Sequence, residues 1–143
     1  MNYWLIKSEP DTWSWDDQNK SPKKTTEWDG VRNYQANNCM KDMAKGDRCF
    51  FYHSGKERSI VGMVQVVKTW ELDPTDKTGR SFGMVTVMAI QSAKSPTTLA
   101  QIKDEAKLKD MVLVKNSRLS VQPVTGAQWK QVCKMAKLSN KQE

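Results

Sequence analysis

The chain has 143 residues, 38% of them hydrophobic and six of them tryptophan, which is enough to bury a core, so we expect one domain spanning residues 1–143. Its formal net charge of +7 is equally compatible with polyanion binding and with a generally basic protein. Three scattered cysteines argue against a disulfide framework, and a single histidine excludes a histidine-rich metal centre, so we expect no metal and no cofactor. No secretory leader or membrane-length apolar run is recognisable. We therefore expect a cytoplasmic protein without a membrane partner.

The first half of the chain alternates strand and helix patterns. An aromatic and aliphatic run at residues 3–7 predicts a strand, which Pro10 ends. Ser14 fits the N-cap of a short helix, because two carboxylates follow within its first turn. A longer helix is predicted over residues 31–43, where apolar residues recur on one face. Residues 48–53 predict a central strand, since both of its faces carry apolar side chains.

The second half is richer in strands. They are predicted at residues 60–67, 84–90, 111–115 and 121–124. Gly62 indicates a bulge or a close backbone approach, and Pro123 indicates an edge strand or an extended connection. One helix is predicted to begin near Leu99, and the clearest helix follows a capping box at Thr125. Residues 139–143 are expected to fray.

This order of elements predicts an α+β fold. The architecture that suits it is a small mixed β-barrel of five to six strands flanked by short helices. Closure of such a barrel would remove exposed strand edges, and its mouth is a common ligand site.

One stretch, residues 27–37, is unusual in composition. Its sequence EWDGVRNYQAN combines a tryptophan, a glycine turn, a guanidinium, a phenol and several carboxamides. A core segment would not contain so many donors and acceptors, and an ordinary surface loop would not contain Trp28 and Tyr34. The mixture is typical of a pocket that stacks a flat ring and forms hydrogen bonds with its edge.

Residues elsewhere are candidates to complete this pocket. The candidate walls are Trp28, Tyr34, Phe51 and Tyr52. The candidate edge partners are Ser8, Asn33, Asn37, His53 and the backbone of residues 116–120. Phe51 is equally typical of an ordinary core, and His53 at a strand end is commonly structural, whereas the polar neighbours of Trp28 favour the pocket. Arg32 can bind a phosphate or pair with Asp29.

Basic residues cluster in loops on either side of this stretch. They are Lys20, Lys23, Lys24, Lys56, Arg58, Lys115 and Arg118. If these loops share one rim, they form a ring of phosphate contacts around the pocket. Contacts with a nucleic-acid backbone are then expected from Lys24, Arg32, Lys56, Arg58 and Lys115. The alternative is a solvated lysine-rich surface.

No catalytic constellation is recognisable. A histidine-dependent mechanism would have to use His53, and nothing in the sequence places a cysteine or an acid beside it. The chain also has no phosphate-binding glycine motif and no dinucleotide fingerprint. We therefore expect no enzymatic activity.

Five segments resemble the EVE domain family of the PUA-like superfamily, in the same order and over nearly the whole chain. They are YWLIKSEP at 3–10, WDGVRNYQA at 28–36, FFYHS at 50–54, IVG at 60–62 and RLSVQPV at 118–124. The resemblance implies a PUA-like β-barrel that recognises a modified base, chiefly modified cytosine in DNA, flipped into an aromatic pocket. The ligand contacts that it implies are Ser8, Glu9, Trp28, Val31, Asn33, Tyr34, Asn37, Phe51, Tyr52, His53, Ser117, Arg118 and Leu119.

Two features depart from the family pattern. The loop at residues 73–83 is shorter than usual, and in the strand that follows Thr86 replaces an acid and an aromatic residue is lost. A proline-glycine pair before Ile60 is replaced by residues 58–59, arginine and serine. We expect nucleic-acid specificity, or the shape of one rim of the pocket, to differ accordingly from that of relatives.

The principal hypothesis is a non-catalytic, monomeric module that reads a modified base in nucleic acid, with DNA favoured over RNA. The alternative is a small-molecule sensor that binds a free nucleobase or a similar heterocycle. A third hypothesis is a nuclease or other hydrolase, which would need a divalent metal, but the sequence offers no convincing metal cluster.

Overall fold

The computed structural model describes residues 1–139, and these residues contain six strands and five α-helices. The strands are β1 (Tyr3–Ser8), β2 (Thr25–Trp28), β3 (Arg48–His53), β4 (Ser59–Leu72), β5 (Gly83–Thr98) and β6 (Val121–Val124). The helices are α1 (Trp15–Lys20), α2 (Tyr34–Lys41), α3 (Leu99–Asp104), α4 (Val112–Lys115) and α5 (Gly126–Ala136). The predicted α+β class is confirmed, and the fraying expected at the C-terminus lies, from residue 140 on, outside the described residues.

All six strands belong to one sheet, in the order β2-β5-β4-β3-β1-β6. β1 runs parallel to β3 and pairs Leu5 with Phe50, and the other neighbouring strands are antiparallel. The expected closure into a barrel is wrong, because β2 and β6 lie at opposite ends of this order. Helix α2 packs against β4, β5 and β6, so a helix rather than a strand pair connects the two ends of the sheet.

The sheet separates two hydrophobic clusters. The alternation predicted for β3 is confirmed, because Cys49 and Phe51 lie in one cluster and Phe50 and Tyr52 lie in the other. Phe50 stacks on Trp129 of α5 with ring centroids 3.9 Å apart. Burying side chains of this size contributes about 1.5–3 kcal/mol each. β3 is therefore the central strand on which both layers are built.

Helix starts agree with the sequence at the three capping boxes and disagree at α2. Ser14, Thr98 and Thr125 each form a capping box at the N-termini of α1, α3 and α5. The start predicted at residue 31 is three residues too early, because Asn33 is extended and its Oδ1 accepts a hydrogen bond from the N–H of Ala36. An N-cap residue needs this non-helical backbone.

Two segments differ in type from the prediction. Residues 111–115, predicted as a strand, contain α4, in which the N–H groups of Val114 and Lys115 donate to the carbonyl of Met111. These local bonds satisfy the backbone without a sheet partner. β2 was not predicted at all, since its sequence TTEW is too short and too polar to show a period.

The close approach expected at Gly62 is confirmed. A Cβ atom at this position would lie 2.3 Å from the ring of Trp15, so only glycine lets α1 rest on β4. The indole of Trp15 also donates to Ser92 Oγ of β5 at 2.9 Å. Helix α1 is thereby fixed across two strands of the sheet. Within residues 1–139 every helix is too short or too polar to span a lipid bilayer.

Candidate functional site

A cavity of about 580 Å³, here called the Trp28 cavity, opens beside the stretch that the sequence singles out. It lies where the end of β1, the turn before α1, strand β2 and the loop before α2 meet. Its lining residues are Lys7, Ser8, Glu9, Thr12, Trp13, Thr26, Glu27, Trp28, Asp29, Gly30, Val31, Arg32 and Ser120. Five of the candidate residues therefore share this cavity, namely Ser8, Glu9, Trp28, Val31 and Arg32.

Three other candidates from the same stretch lie outside the cavity. Asn33 is the N-cap of α2. Asn37 is buried, and its Oδ1 accepts hydrogen bonds from Trp70 Nε1 at 2.9 Å and from the N–H of Gly83 at 3.0 Å. Tyr34 is 57% exposed, with its ring 5.0 Å from that of Phe82. Asn37 therefore joins α2 to β4 and β5, and none of the three side chains lines the cavity.

Phe51 and His53 of β3, two further candidates, do not line the cavity. Phe51 is fully buried, and its ring meets that of Trp28 edge to face at 5.5 Å. The Nε2 atom of His53 accepts a hydrogen bond from the backbone N–H of Trp15 at 3.0 Å, so the ring proton lies on Nδ1, which contacts Glu57 at 2.9 Å. Burial opposes ionisation of Glu57, but hydrogen bonds from Ser59 and His53 outweigh it and lower its pKa. The histidine thus links β3 to α1.

Trp13 is a wall of the cavity that the sequence analysis missed. Its carbonyl accepts a hydrogen bond from Ser8 Oγ, and its indole N–H donates to Gln18 Oε1 at 2.9 Å. Gln18 is fully buried and also donates to the carbonyl of Lys24 at 2.8 Å. The signal was present, because Trp13 stands among polar residues just as Trp28 does.

Replacing Gln18 with leucine should destabilise the protein by about 1–3 kcal/mol, because the fully buried Gln18 side chain no longer accepts from the indole of Trp13 or donates to the carbonyl of Lys24. Urea unfolding gives the free energy, and the indole N–H resonance of Trp13 should move. Gln131→Leu, on a half-buried position of α5, is the matched control and should change little. An unchanged Trp13 resonance in Gln18→Leu would show that Gln18 does not position the indole of Trp13.

Asp73 orders the loop that carries Arg32. Its carboxylate accepts hydrogen bonds from the N–H of Gly30 at 2.9 Å, from Arg32 Nη1 at 3.0 Å, and from the N–H and hydroxyl of Thr75. Burial opposes ionisation of Asp73, but these hydrogen bonds outweigh it and lower its pKa to about 2. Arg32 therefore pairs with Asp73 and not with Asp29. The loop at residues 73–83 thus orders two residues of the cavity lining, Gly30 and Arg32, without lining the cavity itself.

The charges around the Trp28 cavity are mixed. Carboxylates of Glu9, Glu27 and Asp29 line it, together with the cations Lys7 and Arg32. Two indoles offer apolar faces, and carboxylates are hydrogen-bond acceptors. Such an arrangement can hold a flat ring whose edge carries amino or ring N–H donors. No group of three or more potential metal ligands occurs within residues 1–139.

A second cavity of about 590 Å³, here called the Arg118 cavity, adjoins the first, and both are lined by Lys7 and Ser120. Its other lining residues are Tyr52, Ser54, Gly55, Arg58, Leu99, Lys103, Leu113, Ser117 and Arg118. The candidates Tyr52, Ser117, Arg118 and Arg58 are therefore brought together here, and not beside Trp28.

The remaining candidates lie apart from both cavities. Leu119 is buried in the same hydrophobic cluster as Trp28. Lys24 is exposed just before β2, and Lys56 is exposed in the turn between β3 and β4. Lys115 is exposed and lies 3.1 Å from Asp110. The sequence did not separate these positions from those that line a cavity, because side-chain direction in loops follows no period.

Comparison with known proteins places this chain in a family. Residues 2–135 match the model of the EVE domain. Thymocyte nuclear protein 1 from Homo sapiens is 36% identical over 155 residues, which cover 87% of this chain and 69% of that protein. The Gallus gallus protein is 36% identical over 154 residues, which cover 86% of this chain and 64% of that protein. The chain thus spans about two thirds of the length of these curated relatives.

Solved structures agree with this placement. Protein Atu2648 from Agrobacterium tumefaciens is 42% identical with a TM-score of 0.95, covering 100% of this chain and 98% of that one. Human THYN1, solved in complex with 5-methylcytosine-containing DNA, is 34% identical with a TM-score of 0.89, covering 97% of this chain and 99% of that one. ASCH from Zymomonas mobilis, at 9% identity and a TM-score of 0.59, shares the fold alone. The chain therefore belongs to the EVE domain family and has the α+β, PUA-like fold that its sequence predicts.

Proposed function

We propose that this chain is a non-catalytic DNA-binding module that reads a modified base, modified cytosine in particular, flipped out of the duplex into the Trp28 cavity. The observation that carries the proposal is the cavity itself, in which two tryptophans and several carboxylates meet in about 580 Å³. A pocket of this kind combines stacking with recognition of the base edge.

The solved relative supports the choice of ligand. Human THYN1 was crystallised with DNA that contains 5-methylcytosine, and the likeness to this chain covers 99% of that structure. The segments that line the Trp28 cavity lie within the matched residues 2–135. We therefore propose that this chain binds the same class of ligand as human THYN1, at the Trp28 cavity.

The chemistry of the lining supports a cytosine. Stacking on an aromatic side chain contributes about 1–3 kcal/mol per base. Glutamate and aspartate side chains accept hydrogen bonds from the exocyclic amino group of cytosine. Glu9, Glu27 and Asp29 offer such acceptors around the indoles of Trp13 and Trp28. A flipped cytosine would thus find both a stacking face and an acceptor for its amino group.

The test compares duplexes of one sequence that carry either cytosine or 5-methylcytosine at a single position, by fluorescence anisotropy at several salt concentrations. We expect tighter binding to the methylated duplex, and affinity for both duplexes that falls steeply with salt. Equal affinity for the two duplexes would overturn base reading. Tight, salt-independent binding of a free base without DNA binding would instead establish the small-molecule sensor.

A further inference from the structure

Four cationic side chains converge on the Arg118 cavity from four different segments. Lys7 comes from β1, Arg58 from the turn between β3 and β4, Lys103 from α3, and Arg118 from the loop before β6. None of the described residues that line this cavity is acidic. Its lining therefore differs from that of the Trp28 cavity, where three carboxylates are present.

Within residues 1–139 these four cations are not neutralised by ion pairs, and the carboxylate of Glu9 lies against Gly55 of the cavity wall. None of the four cations forms an ion pair with a carboxylate in this part of the chain. Like charges that share a partly enclosed site repel one another, and the repulsion falls when an anion binds between them. A positively charged concave surface of this kind also concentrates anions from solution.

The backbone holds two of these cations at the wall of the cavity. Arg58 has a left-handed backbone, with φ of 50°, which is uncommon for a residue other than glycine. Its carbonyl accepts from the N–H of Leu99 at 2.8 Å, and its Nε donates to the carbonyl of Gly55 at 3.0 Å. Lys7 donates from Nζ to the carbonyl of Ser117 and lies 5.7 Å from the ring centroid of Tyr52.

Lys7 and Ser120 are the residues that line both cavities. We infer that the Arg118 cavity binds a backbone phosphate of the same DNA strand whose flipped base occupies the Trp28 cavity. This inference rests on the proposed function and deepens it, because the ligand becomes a nucleotide unit rather than a base alone. It also assigns Ser117 and Arg118 to the phosphate and not to the base.

The geometry suits a phosphate for a second reason. The hydroxyl groups of Ser54, Ser117 and Ser120 line the same cavity and are able to donate hydrogen bonds to its oxygens. Arginine presents a planar fork that matches phosphate oxygens, and lysine contributes a point charge. Half-burial of Lys7 lowers its pKa, and a neighbouring phosphate would favour its charged form.

The test uses the double variant Lys103→Gln/Arg118→Gln, both at exposed positions, against the control Lys130→Gln/Lys134→Gln on the exposed face of α5. Both variants lose two positive charges, so they share any effect of net charge. The slope of log affinity against log salt should become shallower by about 0.9 for each phosphate that the protein no longer neutralises, in the cavity variant more than in the control. The ratio of affinities for methylated and unmethylated duplexes should stay as in the wild type.

Equal slopes in the two double variants would overturn the phosphate assignment, whatever happens to base preference. Conversely, a shallower slope without any preference for 5-methylcytosine in the wild type would support the phosphate site and overturn the proposed function. Titration with inorganic phosphate, followed by amide resonances, separates the sources of the anion. If phosphate moves the amides of Ser117 and Arg118 but the slope is unchanged, the cavity binds a small phosphorylated ligand instead of DNA.

Discussion

Alanine at Trp13 or Trp28 should remove most of the preference for 5-methylcytosine over cytosine in DNA. Both indoles line the Trp28 cavity. Loss of one stacking surface costs about 1–3 kcal/mol per base, which corresponds to about 5- to 150-fold in affinity for the flipped base. Binding that depends only on the DNA backbone should change much less, because it comes from charges that these substitutions leave in place.

The two variants are expected to differ in how much they destabilise the fold, and this difference separates loss of base preference from loss of stability. Trp28 is 8% exposed and packs against Phe51, so its truncation should also destabilise the fold by about 3–5 kcal/mol. Trp13 is only half-buried, so Trp13→Ala should keep more of the stability while losing the preference. Anisotropy with matched duplexes gives the preference, and urea unfolding gives the stability.

Trp70 provides the control for the loss of an indole. It is half-buried, donates to Asn37 at 2.9 Å, and is not among the residues that line the Trp28 cavity. Trp70→Phe should therefore lower stability and leave base preference unchanged. A preference that survives in both Trp13→Ala and Trp28→Ala, or that disappears equally in Trp70→Phe, would show that the cavity does not read the base.

Local signals in the sequence predicted much of the fold. The capping residues Ser14 and Thr125 correctly mark helix starts, because a cap acts on N–H groups within three residues of itself. The alternation in residues 48–53 correctly assigned two faces to β3, since the side-chain period of a strand is fixed. The composition of residues 27–37 also pointed to the segment beside which a cavity opens.

Local signals could not predict contacts between segments that are distant in the chain. β2 pairs with β5, which places Trp28 opposite Val85. The four residues of β2 do not predict which strand will pair with them. The link between His53 and the backbone of Trp15 spans 38 positions, so the ring could not be assigned to structure or ligand from its place in the chain alone. Likewise, barrel closure was expected from the order of elements and from the family resemblance, whereas the position of α2 against β5 and β6 depends on packing.

Asp73 shows how the loop at residues 73–83 acts on the cavity, although the sequence marks this segment only as a loop. The loop supplies the carboxylate that accepts from Gly30 and Arg32, more than 40 positions earlier in the chain. Gly30 has φ of +78°, a left-handed conformation that suits glycine, and its N–H points to this carboxylate. The loop at residues 73–83 therefore acts on the Trp28 cavity through Gly30 and Arg32.

Replacing Asp73 with alanine should destabilise the protein by about 3 kcal/mol, the lower end of the range for breaking a buried ion pair, because the Arg32 side chain is 31% exposed and regains some water. Base preference should weaken too, since Gly30 and Arg32 line the Trp28 cavity. Asp110→Ala, which removes an exposed carboxylate paired only with Lys115, is the control and should change stability by at most about 0.5 kcal/mol.

The pH dependence of a second variant, Asp73→Asn, shows whether the ionised carboxylate is the cause of this destabilisation. The pKa of Asp73 is lowered from 3.8 to about 2 in the folded protein, so its contribution is present above the unfolded value and is lost as pH falls towards 2. The stability difference between wild type and Asp73→Asn should therefore be constant near neutral pH and shrink in acid, as measured by urea unfolding at several pH values. A difference that persists unchanged to about pH 2 would mean that the shape of the side chain, and not its ionised carboxylate, orders the rim.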